Sequence, residues 1–191
     1  MTFIGHTYAG LGFPFNIDGT RMLSSGFDTK AYVWGFTNGT ALTEYTEQTN
    51  LTTGNAFIHG GKQAATGSAD GTVRIWDAET GETIKIIPVE GGGGSLKLTP
   101  DGRTLVAGTL LRKVIGWDIE TWQETVNFQV HQGVISGGDF YANGTQLLTA
   151  GFEGTAKVWE FPSGEELATL FGHQGNVAEV TYGPEDKIAY T

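Results

Sequence analysis

Cysteine is absent from this chain of 191 residues, which excludes disulfides, thiolate nucleophiles and cysteine-ligated zinc and fits a reducing compartment. Proline is scarce, 5 residues against 30 glycines, so the chain has many places to turn and few that bar a hydrogen-bonded strand. Positive charge is also short: 11 Lys and Arg stand against 21 Asp and Glu, a formal net charge of -10. That sign repels phosphate backbones and anionic lipid headgroups unless cations are segregated. Only Arg112-Lys113 forms even a pair of adjacent cations, so neither nucleic acid nor a membrane is an expected partner. No apolar run approaches the roughly 20 residues that cross a bilayer. The opening MTFIGHTYAG lacks the basic start and apolar middle of a signal peptide, and a cytoplasmic location is expected. No stretch carries an apolar face at helical spacing long enough for a domain helix. With 39% hydrophobic and 12% aromatic residues, the chain can nevertheless bury a core, and that core is expected to be all-β.

What the sequence does contain is one pattern repeated. Gly67 to Gly81, GSADGTVRIWDAETG, holds a tight polar turn, a strand alternating small or polar with apolar residues, and a second turn closed by glycine. The layout returns from Gly26, from Gly108 and from Gly151, and the tryptophans fall at 34, 76, 117 and 159, spaced by 42, 41 and 42 residues. A period of this size, with several short strands per unit and Trp-Asp at Trp76-Asp77 and Trp117-Asp118, resembles the WD-repeat family of β-propellers. The resemblance covers nearly the whole chain. It implies a single partial propeller domain over 1–191 with repeats at about 5–45, 46–87, 88–128 and 129–171, and a partial fifth at 172–191. In the first repeat, strands are expected near 11–17, 21–25, 30–36 and 41–45, and in the second near 56–59, 63–67, 72–76 and 83–87.

The same resemblance implies a structural hydrogen-bond tetrad of a His, a Ser or Thr on the second strand, an Asp in the next turn and the third-strand Trp. Repeat one has His6, Ser24, Asp28 and Trp34; repeat four has His131, Thr149 and Trp159, with Glu153 for the Asp. Repeat two has Thr66, Asp70 and Trp76 with Gln48 in the His place. Repeat three keeps only Trp117, with Val89, Ala107 and Leu111 elsewhere, and the unfinished unit offers His173 and Thr191. Taken alone, His6, Ser24 and Asp28 suggest a hydrolase triad. Recurrence of the set at 42-residue spacing, ending in an indole that can only donate a hydrogen bond, favours the structural role. No catalytic, metal or cofactor site is expected. His6, His131 and His173 hold one place in different repeats and so cannot converge on a metal at about 2 Å. Glu165-Glu166 and Glu185-Asp186 lie in or beside turns as solvated pairs, Gly91 to Gly94 reads as a flexible loop, and Asp139 is the one acid on an inner strand that could face a central channel.

The expected function is a non-enzymatic scaffold that presents propeller loops to a protein or peptide. The alternative is a scaffold fragment or subunit of a larger protein or complex whose activity lies elsewhere. Turns between second and third strands carry Phe27, Ala69, Leu110 and Phe152 at equivalent positions, and repeat three adds Leu111, Arg112 and Lys113. Phe27, Leu110, Leu111, Arg112 and Phe152 are therefore candidate partner-binding residues, because aromatic and Arg side chains are enriched at interface hot spots. Trp122 is a further candidate, standing where Gly39, Gly81 and Gly164 occur in other repeats. Four blades and part of a fifth fall short of the seven or eight at which such rings usually close. Completion by another chain, most simply a second copy giving a homo-oligomeric dimer, is the expectation. Closure as a small ring using residues 1–4 and membership of a longer chain are the alternatives.

Overall fold

The computed structural model describes residues 2–183 and 189–191 and is all-β, with no α-helix among the described residues. The chain divides into two compact units, Met1–Leu96 and Lys97–Thr191. In the first unit, β1 (Gly10–Leu11), β2 (Arg21–Gly26), β3 (Ala31–Gly35) and β4 (Thr40–Tyr45) form one antiparallel meander. Strands β5 (Thr52–Ile58), β6 (Gln63–Ser68), β7 (Thr72–Asp77) and β8 (Thr83–Pro88) form the next. The third sheet has β9 (Gly93–Leu98), β10 (Thr104–Thr109), β11 (Lys113–Asp118) and β12 (Glu124–Gln129); the fourth has β13 (Ile135–Phe140), β14 (Gln146–Gly151), β15 (Ala156–Glu160) and β16 (Glu166–Leu170). A two-stranded sheet of β17 (Thr181–Tyr182) and β18 (Ala189–Tyr190) follows. The expected succession of four four-stranded units and a partial fifth is the one observed.

Each sheet is built around its tryptophan. At Trp34, Trp76, Trp117 and Trp159 the register against the fourth strand slips by one residue. Such a bulge turns the ring inward and twists the outer strand. Within the first unit, Leu23, Val33 and Tyr45 of one sheet close over Ala64 and Trp76 of the next, and the Tyr45 and Trp76 rings stack at 4.7 Å and 4°. In the second unit, Val106, Val114 and Val126 cover Leu147 and Trp159, while Leu148 and Ala156 lie against Val177 and Val180. The packing rule is thus the same in both units. An apolar face of one sheet covers the tryptophan face of its successor, as expected where each repeat buries its apolar surface only on neighbours.

Two local expectations are corrected. The first inner strand does not run over 11–17: β1 stops at Leu11, and beyond it only Phe15 bridges to Met22. Gly12 at φ 56° and Pro14, which has no amide N–H to give, break the ladder. Nor is Gly91 to Gly94 simply a loop, since Gly93 and Gly94 are buried inside β9. A Cβ on Gly93 would stand 2.7 Å from Val73 Cγ2 and 3.1 Å from Gly67 Cα. The glycines are there to let two backbones approach.

Candidate interaction surface

The polar side chains that look most like chemistry are turned inward and spent on one another. Trp34 Nε1 donates to Ser24 Oγ at 2.8 Å, Ser24 Oγ lies 2.7 Å from His6 Nε2, and His6 Nδ1 lies 2.9 Å from Asp28 Oδ1. Asp28 Oδ2 accepts the Thr7 amide at 2.8 Å. Because an indole only donates, the hydroxyl proton of Ser24 goes to His6, and the His6 Nδ1–H goes to the carboxylate. Burial opposes ionisation of Asp28, but the His6 hydrogen bond and the Thr7 amide outweigh it, so its pKa lies below the usual carboxylate value. The fourth sheet repeats the chain. Trp159 Nε1 donates to Thr149 Oγ1 at 2.8 Å, Thr149 Oγ1 is 2.8 Å from His131 Nε2, and His131 Nδ1 bonds Glu153. Burial also opposes ionisation of Glu153, and its backbone, His131 and Thr155 hydrogen bonds again carry its pKa below normal. At 1% exposure, with its oxygen taken by an indole, Ser24 has no approach open for a substrate carbonyl.

In the second sheet Gln48 Nε2 donates to Thr66 Oγ1 at 3.0 Å and Asp70 Oδ2 accepts the Thr49 amide at 3.0 Å. Trp76 differs from Trp34 and Trp159, because its buried Nε1 has no hydrogen-bond partner. Gln48 supplies the N–H that the Thr66 hydroxyl oxygen receives, while the indole lies flat against Tyr45. In the third sheet Val89, Ala107 and Trp117 are buried and Leu111 is exposed. In the partial unit His173 Nε2 lies 2.6 Å from Thr191 Oγ1.

The remaining acids are committed or dispersed. Asp139 Oδ2 accepts Thr181 Oγ1 at 2.8 Å and the Tyr182 amide at 3.0 Å, and its Oδ1 is 3.7 Å from Lys97 Nζ. Glu166 takes Lys157 at 2.7 Å, and that bond holds its pKa down. The pair Glu185-Asp186 lies outside the described residues. Among the described residues no group of three His, Cys, Asp or Glu could hold a metal ion.

At the turn tips, large apolar side chains face outward. The turn tips Phe27, Leu110, Leu111 and Phe152 are 42%, 41%, 43% and 47% exposed; Ala69 is partly buried and Arg112 is exposed. Trp122, at φ 59°, is partly buried and its amide donates to Asp118 O at 2.7 Å. Asp77 Oδ1 and Asp118 Oδ1 each accept two amides of the following turn, Glu79 with Thr80 and Glu120 with Thr121. That is what an Asp directly after the tryptophan does: it closes the reversal into the fourth strand.

Four-stranded antiparallel meanders with an inward third-strand tryptophan, packed apolar face on tryptophan face, are blades of the β-propeller type. The family model for the WD domain, G-beta repeat matches residues 42–77 and 122–160, so the chain carries WD repeats over those two stretches. It is 26% identical over 186 residues to periodic tryptophan protein 2 of Arabidopsis thaliana, covering 96% of this chain and 21% of that protein. Against the U3 small nucleolar RNA-associated protein 15 homolog of Xenopus tropicalis it is 28% identical, covering 97% of this chain and 36% of the other. Against eukaryotic translation initiation factor 3 subunit I of Aspergillus oryzae it is 27% identical, covering 89% and 54%. The chain thus spans only part of the length of each of these relatives.

Proposed function

We propose that the chain is a protein-interaction scaffold that offers its turn tips to a protein or peptide within a larger assembly. One observation carries the reading. Hydroxyl, imidazole and carboxylate groups of the first and fourth blades are paired beneath the surface, while Phe27, Leu110, Leu111 and Phe152 stand 41% to 47% exposed at the turns. Large apolar side chains at solvent are costly to a lone molecule and useful to one that is covered by a partner. Similarity to a subunit of a translation initiation factor supports an assembly role. Pull-downs with the wild type and with a Phe27→Ala, Phe152→Ala double variant test it, and unchanged recovery of a partner removes the turn tips as the contact.

A second reading concerns how the first blade is covered. Its tryptophan face borders a cavity of about 500 Å³ lined by Phe3, Ile4, Phe13, Met22 and Trp34, with Ile4 83% and Phe13 54% exposed. The corresponding face around Trp76 is closed by Leu23, Val33 and Tyr45 of the preceding blade. A blade face supplied by a second copy would satisfy the same surface, and a homodimer is the simplest such arrangement. Light scattering is expected to give about twice the 20.4 kDa chain mass, reduced by Ile4→Asp with Phe13→Asp. A monodisperse monomer for the wild type removes this reading.

A further inference from the structure

The turn between β10 and β11 departs from its counterparts in two ways, and in a third it departs from the second and fourth blades. Where the other blades place an acid, Asp28, Asp70 or Glu153, it has Leu111, and Leu110 and Leu111 are both exposed. It also carries Arg112-Lys113, the only adjacent cations in a chain of net charge -10. Finally, Arg112 adopts φ 67° where the second and fourth blades use Gly71 and Gly154 at 91° and 87°. A side chain in the left-handed region is disfavoured, and such a residue persists where the surrounding structure holds it. The hold is visible. The Arg112 amide donates to Thr109 O at 3.0 Å, and its carbonyl accepts the Val130 amide at 3.0 Å and Gln129 Nε2 at 2.9 Å. Thr29 shares the conformation in the first blade, also at 67°, but carries no charge. The backbone of the third turn is pinned and Arg112 is exposed, with no ion pair to it among the described residues.

Resting on the reading of the turn tips as a contact surface, we infer that the Leu110-Leu111-Arg112-Lys113 turn docks an acidic peptide segment bearing a large apolar side chain. Charge complementarity selects the occupant. Two cations on an otherwise acidic molecule attract a short carboxylate-bearing segment, while the surrounding negative field opposes long polyanions. A guanidinium grips a carboxylate with two parallel hydrogen bonds, and the paired leucines give an adjoining leucine or phenylalanine a dry seat.

The test pans a random 12-residue peptide library against the immobilised full chain and then measures the best binder on variants by fluorescence anisotropy. Enrichment of Asp and Glu beside Leu or Phe is expected, with affinity falling at least tenfold in Arg112→Glu and in Arg112→Gly. The glycine variant relieves the backbone, so its thermal midpoint is expected to match or exceed the wild type while binding is lost, which separates docking from folding. A pool without acidic residues, no enrichment, or acidic peptides that bind the Arg112 variants as tightly as the wild type overturns the inference. So does equal competition by a single-stranded oligonucleotide. Binding that is lost in Phe152→Ala but indifferent to Arg112 leaves the turn-tip surface standing and removes the acidic occupant alone.

Discussion

A buried hydroxyl linking an indole to an imidazole has two partners to disappoint when it is removed. Ser24→Ala strands the Trp34 N–H and a His6 nitrogen, and Thr149→Val does the same to Trp159 and His131. Each is expected to lower unfolding free energy by about 1–3 kcal/mol in a urea titration. The acids at the second-to-third-strand turns of the first, second and fourth blades set a pH dependence. Asp28, Asp70 and Glu153 all have folded-state pKa values below their unfolded ones. Their contribution is therefore full above the ordinary carboxylate range of about pH 4 and is lost as pH falls through the lower folded values. Urea midpoints taken from pH 7 to pH 3 should drop below about pH 4, and the drop should be shallower in Asp28→Asn with Glu153→Gln.

At the scale of the strand, two bulges carry a function of their own. The ladder slips between Thr52 and Gly54 in β5 and between Ile135 and Gly137 in β13, leaving Thr53 and Ser136 without a cross-strand counterpart. Thr53 Oγ1 then reaches Gly93 O at 3.3 Å and Ser136 Oγ reaches Val177 O at 2.5 Å, so the slipped residue ties its strand to the chain that follows. Ser136→Ala should cost about 1 kcal/mol by the same urea assay. Gly54, just past the first bulge, has no room at all: a Cβ there would overlap Gly94 O and stand 2.9 Å from the Leu96 amide. Gly54→Ala is accordingly expected to lower the thermal midpoint by many degrees, whereas Gly175→Ala, with nothing within 4 Å, should stay within about 0.5 kcal/mol of the wild type. These ties were invisible in the sequence for a physical reason. A hydroxyl-glycine pair such as Thr53-Gly54 announces a bend, but its acceptor is a carbonyl about 40 residues away that bears no side-chain signature. Trp34 and its three counterparts were legible because a large apolar ring at a fixed interval has one economical place to go. Asp77 and Asp118 were legible because their partners are the next few amides. The unpaired indole of Trp76 was not legible: hydroxyl and indole are both present in the sequence, and only the geometry keeps them apart.

For the whole molecule, charge and repetition decide most. With a net charge of -10 and a single pair of adjacent cations, the chain should pass unretained through heparin resin at about 0.1 M salt, where screening still leaves surface fields effective to about 10 Å. Retention there would point to a cationic surface that the sequence does not reveal. The repeat count and the meander of each blade could be read from the Trp spacing, since period and strand alternation are properties of one chain. Which surfaces meet a partner could not, because an exposed Phe27 and a buried Phe57 are the same residue type in the same kind of pattern, and only burial tells them apart.

The unsatisfied N–H of Trp76 leaves this protein with an internal spectroscopic beacon. Held face to face with Tyr45 and bonded to nothing at its nitrogen, that indole should resonate apart from Trp34 and Trp159 in a nitrogen-15 correlation spectrum and report on the joint between the first two blades without any label being introduced.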